Sequence, residues 1–266
     1  MSSCFAIIYI MLQDAHSHIQ DSGNPAMVNG LLRDISAEGI KRIFCNSAAP
    51  ENRQALERIA SQQGIIPFFG LHPWYAAAAP MDWMGSLKEL LAKFPACAIG
   101  EIGLDRNRGA ADPALQEKWF CAQLDLAIET RKPVTLHCVK AWEELLSILK
   151  HRSPKLPALL LHAFSGPPEA LEELIRLDAF ISFSPQALFS GNPKIIKMLS
   201  LIPTDRLLLE TDFPYRYTGE INSETYFNLL SEVYTKAAGL LRVERAELEE
   251  RIWDNGTLFT HGIIAR

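Results

Sequence analysis

Short, nearly continuous apolar runs alternate with longer amphipathic stretches along the whole chain. The apolar runs centre on Ala6-Ile7-Ile8-Tyr9-Ile10, Arg42-Ile43-Phe44-Cys45, Ile65-Ile66-Pro67-Phe68-Phe69 and Ala98-Ile99-Gly100. They continue with Pro133-Val134-Thr135-Leu136, Ala158-Leu159-Leu160-Leu161, Ala179-Phe180-Ile181-Ser182-Phe183 and Arg206-Leu207-Leu208-Leu209. Such runs suit parallel strands covered on both faces. The strands are expected to end near Asp14, Asn46, Leu71, Ile102, His137, His162, Ser184 and Thr211. Pro67 lacks an N–H for the ladder and is expected at the beginning of its strand. The amphipathic stretches predict helices over 26–38, 51–63, 82–94, 113–131, 140–151, 167–177, 192–201 and 223–239, with a further one from Glu244 to Phe259. Asp112-Pro113 and Asn192-Pro193 each place a capping side chain before a proline suited to the first helical position.

Eight β/α units in one undivided chain predict an α/β fold, a (β/α)8 TIM barrel forming a single domain over residues 1–266. Such barrels need about 250 residues. A doubly wound open sheet is the alternative, but no glycine-rich nucleotide fingerprint supports it.

Composition narrows the setting. Five scattered cysteines, Cys4, Cys45, Cys97, Cys121 and Cys138, form no C-x-x-C pair, which suits reduced thiols in a cytoplasmic protein. The apolar run from Phe5 to Leu12 has no basic leader and is too short to span a bilayer, so it reads as a buried first strand. No membrane association or obligate protein partner is expected. A net charge of −5 argues against coating nucleic acid through the overall field. It leaves room for a local cationic site whose charge comes from bound metal.

Barrel active sites lie at the carboxyl ends of the strands, and that is where the chemistry-bearing residues fall. His16 and His18 follow the first strand two residues apart, so both rings can point to one side. Glu101 sits between Gly100 and Ile102 at the end of the fourth strand, where a carboxylate is costly unless paired or metal-bound. His137, His162 and Asp212 end the fifth, sixth and eighth strands. Taken singly, His137 and His162 are more often hydrogen-bonded structural histidines, and Asp212 is more often a cap. Of seven histidines, however, five (His16, His18, His72, His137 and His162) fall at strand ends. Four imidazoles, a Glu and an Asp on one rim suit one or two divalent ions, with zinc, manganese or magnesium all admissible.

The order of these elements resembles the TatD-type metal-dependent deoxyribonucleases among the amidohydrolase-like barrels. The resemblance rests on Asp14-Ala15-His16-Ser17-His18, Gly70-Leu71-His72-Pro73, Gly100-Glu101-Ile102-Gly103-Leu104-Asp105 and Pro133-Val134-Thr135-Leu136-His137. It continues through His162-Ala163-Phe164-Ser165-Gly166, Glu210-Thr211-Asp212-Phe213-Pro214 and Asn255-Gly256-Thr257-Leu258-Phe259. It implies a first metal held by His16, His18, Glu101 and Asp212, and a second held by His137 and His162 with Glu101 bridging. The chain departs from the family pattern at Val139, where an Arg is usual, and at Arg106, where an aromatic is usual. It also has Tyr215-Arg216-Tyr217 in place of an Arg-Asn-x-Pro element. These departures fall in the substrate-binding layer.

The expected reaction is hydrolysis of a phosphodiester by a metal-activated water. Asp212 is the expected proton acceptor and Glu101 sets the metals' separation, while His72, Arg106 and Lys140 are candidate contacts to substrate phosphate, each reading at least equally well alone as a solvated rim group. A pocket at a barrel mouth favours single-stranded nucleic acid or ends as substrate. The alternatives are an ester or amide hydrolase on the same centre, for example on a lactone or an aminoacyl-tRNA ester, and a non-catalytic binding protein.

Overall fold

Eight parallel strands pair in chain order among the described residues. In a computed structural model describing residues 11–107, 111–215 and 217–264, β1 spans Leu12–Ser17, β2 Ile40–Asn46, β3 Ile65–Phe69 and β4 Ala98–Asp105. β5 covers Val134–Val139, β6 Leu159–Leu161, β7 Phe180–Phe183 and β8 Leu207–Leu209. The expected helices form around them as α1 (Pro25–Ala37), α2 (Arg53–Ile59), α3 (Trp83–Lys93), α4 (Pro113–Thr130), α5 (Trp142–Arg152) and α6 (Pro168–Arg176). Beyond these, α7 (Pro185–Phe189) precedes α8 (Pro193–Leu201), α9 (Ser223–Leu241), α10 (Arg245–Phe259) and α11 (His261–Ile264). Asp112 caps α4 by accepting from the N–H groups of Ala114 and Leu115, and Asn192 caps α8 by accepting from Lys194. α7, α11 and the 3₁₀ turns Ile19–Asp21 and Pro73–Ala78 are new. They are too short to carry a helical apolar period.

The first strand differs from its expectation. The apolar core expected at Ala6–Ile10 lies outside the described residues, whereas Leu12–Ser17 forms the strand and is buried throughout despite Gln13, Asp14, His16 and Ser17. Hydrogen bonds at the barrel seam make that burial possible. Asp14 accepts from the N–H groups of His16 (3.2 Å) and Thr211 (3.0 Å), from the Tyr226 hydroxyl (2.8 Å) and from the Thr211 hydroxyl. Two backbone bonds nearly close the barrel: Asp212 N–H donates to His16 C=O (3.0 Å), and His18 N–H donates to Phe213 C=O (2.6 Å).

Pro67 lies in the middle of β3 rather than at its beginning. Gly64 and Phe68 aim their carbonyls at β2, accepting from Ile43 and Ser47, so the alternating residue Pro67 faces β4. The β3–β4 ladder begins only at Phe68 opposite Ala98, and the missing donor sits just below it.

α10 closes the amino-terminal end of the barrel. Phe259 packs near Phe44, Phe68 and Phe180, with ring centroids 5.4–5.9 Å away, and Arg42 lies 3.8 Å over the Trp253 ring. Gly256 meets the Gln13 side chain so closely that a Cβ there would lie 2.1 Å from Gln13 Oε1. The opposite, carboxyl-terminal rim is left open. No helix among the described residues is long and apolar enough to cross a membrane. Cys45, Cys97, Cys121 and Cys138 are free thiols, and Cys4 lies outside the described residues.

Candidate metal centre

Glu101 stands at the middle of the open rim, 3 % exposed, and its two carboxylate oxygens face different partners. Oε2 lies 3.4 Å from His16 Nε2 and 3.5 Å from His18 Nε2. Those two nitrogens are 3.1 Å apart and lie 3.8 and 3.6 Å from Asp212 Oδ1. Oε1 instead lies 2.7 Å from His162 Nε2 and 2.8 Å from His137 Nδ1, which are themselves 3.3 Å apart. His72 Nε2 is 3.4 Å from the same oxygen. All six residues whose type suggested metal binding therefore meet around one carboxylate.

The strands explain the convergence. His16 and His18 flank the end of β1, with side chains on one side because residues two apart on an extended chain alternate back to the same face. β4 carries Glu101 and, four residues on, Asp105; β5 carries His137, paired in register with Gly103. A Cβ at Gly103 would lie 2.0 Å from the His137 carbonyl, so glycine is what lets the two backbones approach there.

At three of the rings, a hydrogen bond to the outer nitrogen fixes which nitrogen faces inward. His18 Nδ1–H donates to the Asn46 carbonyl at 2.7 Å, leaving Nε2 as a lone pair toward Glu101 and Asp212. His137 Nε2–H donates to Asp105 Oδ2 at 3.1 Å, leaving Nδ1 inward. His162 Nδ1 faces Glu210 Oε1 at 3.4 Å. His16 Nδ1 is buried and has no hydrogen-bond partner. His72 is reversed: its Nδ1 accepts the backbone N–H of Trp74 at 3.1 Å, so in the neutral ring Nε2 carries the hydrogen. His72 thus presents a donor to the rim, and His18 and His137 present lone pairs.

Electrostatics follow this arrangement. Burial alone would raise the Glu101 carboxyl, but His162, His72 and His16 hold it well below the usual carboxylate range. Burial lowers His16 and His72 to about 4 each, helped at His16 by the charge of His162 and opposed at both by Glu101. His162 goes the other way: burial disfavours its charge, but Glu101 and Glu210 raise it well above its ordinary value. Burial pushes Asp212 up to about 6 against the pull of His18 and His162.

The donor set fits divalent metal. Ligand atoms about 2.1 Å from a tetrahedral ion lie about 3.4 Å from one another. The separations among His16, His18, Glu101 and Asp212, 3.1–3.8 Å, bracket that value. Four imidazoles and two carboxylates in a buried cluster suit zinc or manganese, and the carboxylates admit magnesium.

A cavity of about 420 Å³ opens over the cluster, walled by His18, His72, Glu101, His137, His162 and Asp212 and extending past Trp74, Tyr215 and the start of α7. Arg106 and Lys140 are not among its described lining residues. The Arg106 guanidinium is held by Glu144 (3.1 Å) and Gln116 (2.8 Å), and Lys140 is exposed in a left-handed backbone conformation.

Asp105, Glu210 and Asn46 were not anticipated as parts of the site. Asp105 takes hydrogen bonds from His137, the Trp74 indole (2.7 Å) and the Asn107 N–H (2.7 Å). These hold its carboxyl at about 2 although burial pushes it up. The signal for Asp105 and Glu210 is the one that marked Glu101, an acid within an apolar strand, each at an even spacing from a recognised site residue. Asn46 acts through its backbone carbonyl and leaves no side-chain signal.

The chain shares 29% identity over 84% of its length with the uncharacterized metal-dependent hydrolase YabD of Bacillus subtilis, covering 89% of that protein. It is 40% identical over 69% of its length to the 3'-5' ssDNA/RNA exonuclease TatD of Pantoea ananatis, covering 70% of it. Its fold superposes on the crystal structure of YJJV, a TatD homolog from Escherichia coli K12, with a TM-score of 0.83 at 23% identity over 95% of this chain and 98% of that one. The TatD related DNase family model matches residues 13–260, and the chain belongs to that family.

Proposed function

We propose that this TatD-like metal-dependent hydrolase cleaves phosphodiester bonds at the ends of single-stranded nucleic acid. The observation that carries the reading is the division of Glu101, with Oε2 toward His16, His18 and Asp212 and Oε1 toward His137 and His162. Such a carboxylate can bridge two ions, which suits in-line displacement at phosphorus. His16, His18, Glu101 and Asp212 would hold the first ion, and His137, His162 and Glu101 the second. Bound divalent ions supply Lewis acidity and lower the pKa of a water from about 15.7 to about 7.

The chain's own groups then orient and move protons. Asp212 lines the cavity, where its carboxylate is placed to accept a proton. The His72 Nε2–H, which faces Glu101 Oε1 at 3.4 Å while Nδ1 accepts the Trp74 N–H, is the rim donor that a phosphoryl oxygen would meet. The Asp105 carboxylate and the Asn46 carbonyl hold His137 and His18 in the tautomers that leave lone pairs inward. A cavity of about 420 Å³ accepts a chain end more readily than a duplex interior. The relative in Pantoea ananatis, a 3'-5' ssDNA/RNA exonuclease, supports the same substrate class. One catalytic domain and a cytoplasmic setting complete the proposal, the latter supported by the free thiols.

The test is a panel with purified, metal-supplemented protein: single-stranded DNA and RNA, duplex DNA, a simple phosphodiester, and a set of esters, amides and lactones. Cleavage of single strands from an end is expected. Turnover of carbonyl substrates with no phosphodiester cleavage would overturn the nuclease reading and leave the hydrolase intact.

A further inference from the structure

A large, half-exposed aromatic ring in a cavity wall needs a reason, since water gains nothing from its face. Trp74 is 52 % exposed and lines the cavity beside the cluster. It is not a loose surface residue: its indole N–H donates to the fully buried Asp105 carboxylate at 2.7 Å, and its ring stands edge-on to His72 with centroids 4.8 Å apart. The anchored edge fixes the ring plane and leaves the face open. On the other side of Glu101, Tyr215 lines the same cavity, 36 % exposed. Its ring meets His18 edge-on at 4.5 Å, and its hydroxyl lies 3.4 Å from Asp21 Oδ2. The two rings therefore stand beside the two histidine groups that the two oxygens of Glu101 divide, Trp74 near His72 and His137, Tyr215 near His18.

The rest of the wall sharpens the point. No Lys or Arg is among the described residues lining the cavity, and its far side presents Ser165, Ser184, Gln186 and Asn192. Among the described lining residues, a polyanion gripped through its phosphates meets no cationic side chain beyond histidine. Stacking on fixed aromatic faces is the remaining sequence-tolerant way to hold a nucleotide.

We infer that Trp74 and Tyr215 are the base-binding walls of the site, stacking the nucleobases on either side of the scissile phosphodiester. This rests on the nuclease reading above and adds the residues that recognise the substrate as a nucleotide rather than as a bare phosphodiester. Trp74, with the larger and better-anchored face, dominates.

The test combines protein and substrate changes. An oligonucleotide and its counterparts with an abasic residue on one or the other side of the scissile bond are given to wild type, Trp74→Ala and Trp74→Phe. Metal content is measured throughout. Binding of an uncleavable phosphorothioate oligonucleotide is followed in parallel by fluorescence anisotropy in chelator. Trp74→Ala should lower kcat/KM and weaken binding about tenfold or more on the natural substrate. The matching abasic residue should lower wild type by a similar factor and Trp74→Ala by little further. Trp74→Phe should keep most of the binding, because a phenyl face stacks without the N–H. If Trp74→Phe fails as badly as Trp74→Ala and both lose metal, the ring acts through Asp105 and the inference is overturned. Equal handling of natural and abasic substrates by wild type overturns it as well, with the nuclease reading intact. Failure of wild type to cleave or bind any oligonucleotide overturns the nuclease reading itself, a distinct result.

Discussion

Glu210 Oε1 lies 3.4 Å from His162 Nδ1, behind the ring whose opposite nitrogen is 2.7 Å from Glu101. The carboxylate is fully buried and accepts from the Ser182 hydroxyl through its other oxygen, so it faces His162 as a charge rather than through a hydrogen bond. Removing its charge while keeping its shape should loosen the ion shared by His137 and His162. Glu210→Gln is expected to weaken the second metal about 10- to 100-fold and leave the first near wild type. Chelator competition with circular dichroism as a folding check measures this. Two ions retained at wild-type affinity would remove Glu210 from the site.

The first metal position has a complementary test. His16→Ala combined with His18→Ala deletes two of its four proposed ligands, the pair whose Nε2 atoms are 3.1 Å apart. Protein purified without chelator should carry one to two divalent ions per chain, and the double variant should lose at least one. Unchanged content by plasma mass spectrometry would sink the assignment of His16 and His18.

The barrel was legible in the sequence because β2 to β8 are built on short apolar runs, and Glu101, His137, His162 and Asp212 lie in or just beyond four of them. What escaped has physical reasons. β1 is polar and buried, sustained by Asp14, Thr211 and Tyr226 across the seam, and apolar periodicity is blind to such a strand. β4 continues through Asp105 because hydrogen bonds from Trp74, His137 and Asn107 satisfy the buried carboxylate. The roles of Arg106 and Lys140 could not be read from charge alone. A cation near a strand end can turn outward to another helix, as Arg106 does toward Glu144 on α5 and Gln116 on α4.

Asp212 separates chemistry from folding. Its side chain is the most exposed of the proposed first-metal ligands, at 17 %, and it lines the cavity. Asp212→Asn should lower turnover about 10²–10⁴-fold, because an amide cannot accept the proton. The thermal midpoint should move by about 3 °C or less. Metal content is measured alongside, and a variant with full metal and wild-type turnover would take Asp212 out of the mechanism.

His72 predicts an acid sensitivity that does not depend on activity. Burial holds the folded ring at about 4 against an ordinary value of 6.5, and protonation would also break the bond from Trp74 N–H. Above pH 6.5 both folded and unfolded chains keep the ring neutral. As pH falls below that, the unfolded chain takes a proton that the fold refuses until about pH 4, so stability is lost toward acid. Between pH 7 and pH 5 the loss is about 2 kcal/mol. His72→Asn, whose Oδ1 can accept the Trp74 N–H, removes this dependence. Urea unfolding in chelator should show wild type losing about 2 kcal/mol more than the variant over that interval. Equal losses would mean that the ring charges freely in the fold.

The cavity's charge sets how binding responds to salt. With no Lys or Arg among the described lining residues, a nucleic-acid end engages few phosphates through fixed cations. Each phosphate neutralised on a single strand contributes about 0.7 to the slope of log affinity against log salt. Two or fewer contacts then give a slope no steeper than about −1.4. Arg106 is already engaged by Glu144 and Gln116, and exposed Lys140 lies outside the cavity wall. Arg106→Ala and Lys140→Ala should therefore each change KM on single-stranded DNA by about threefold or less, the scale of a solvent-screened charge. A larger loss in either variant, with a slope shallower by about 0.7, would place that side chain on a phosphate after all. Substrate would then have to leave the cavity and cross the rim toward α5, where Glu144 would compete with it for the Arg106 guanidinium. That competition makes the outcome readable: Glu144→Gln should strengthen binding only if Arg106 reaches the substrate, and should leave KM unchanged if it does not.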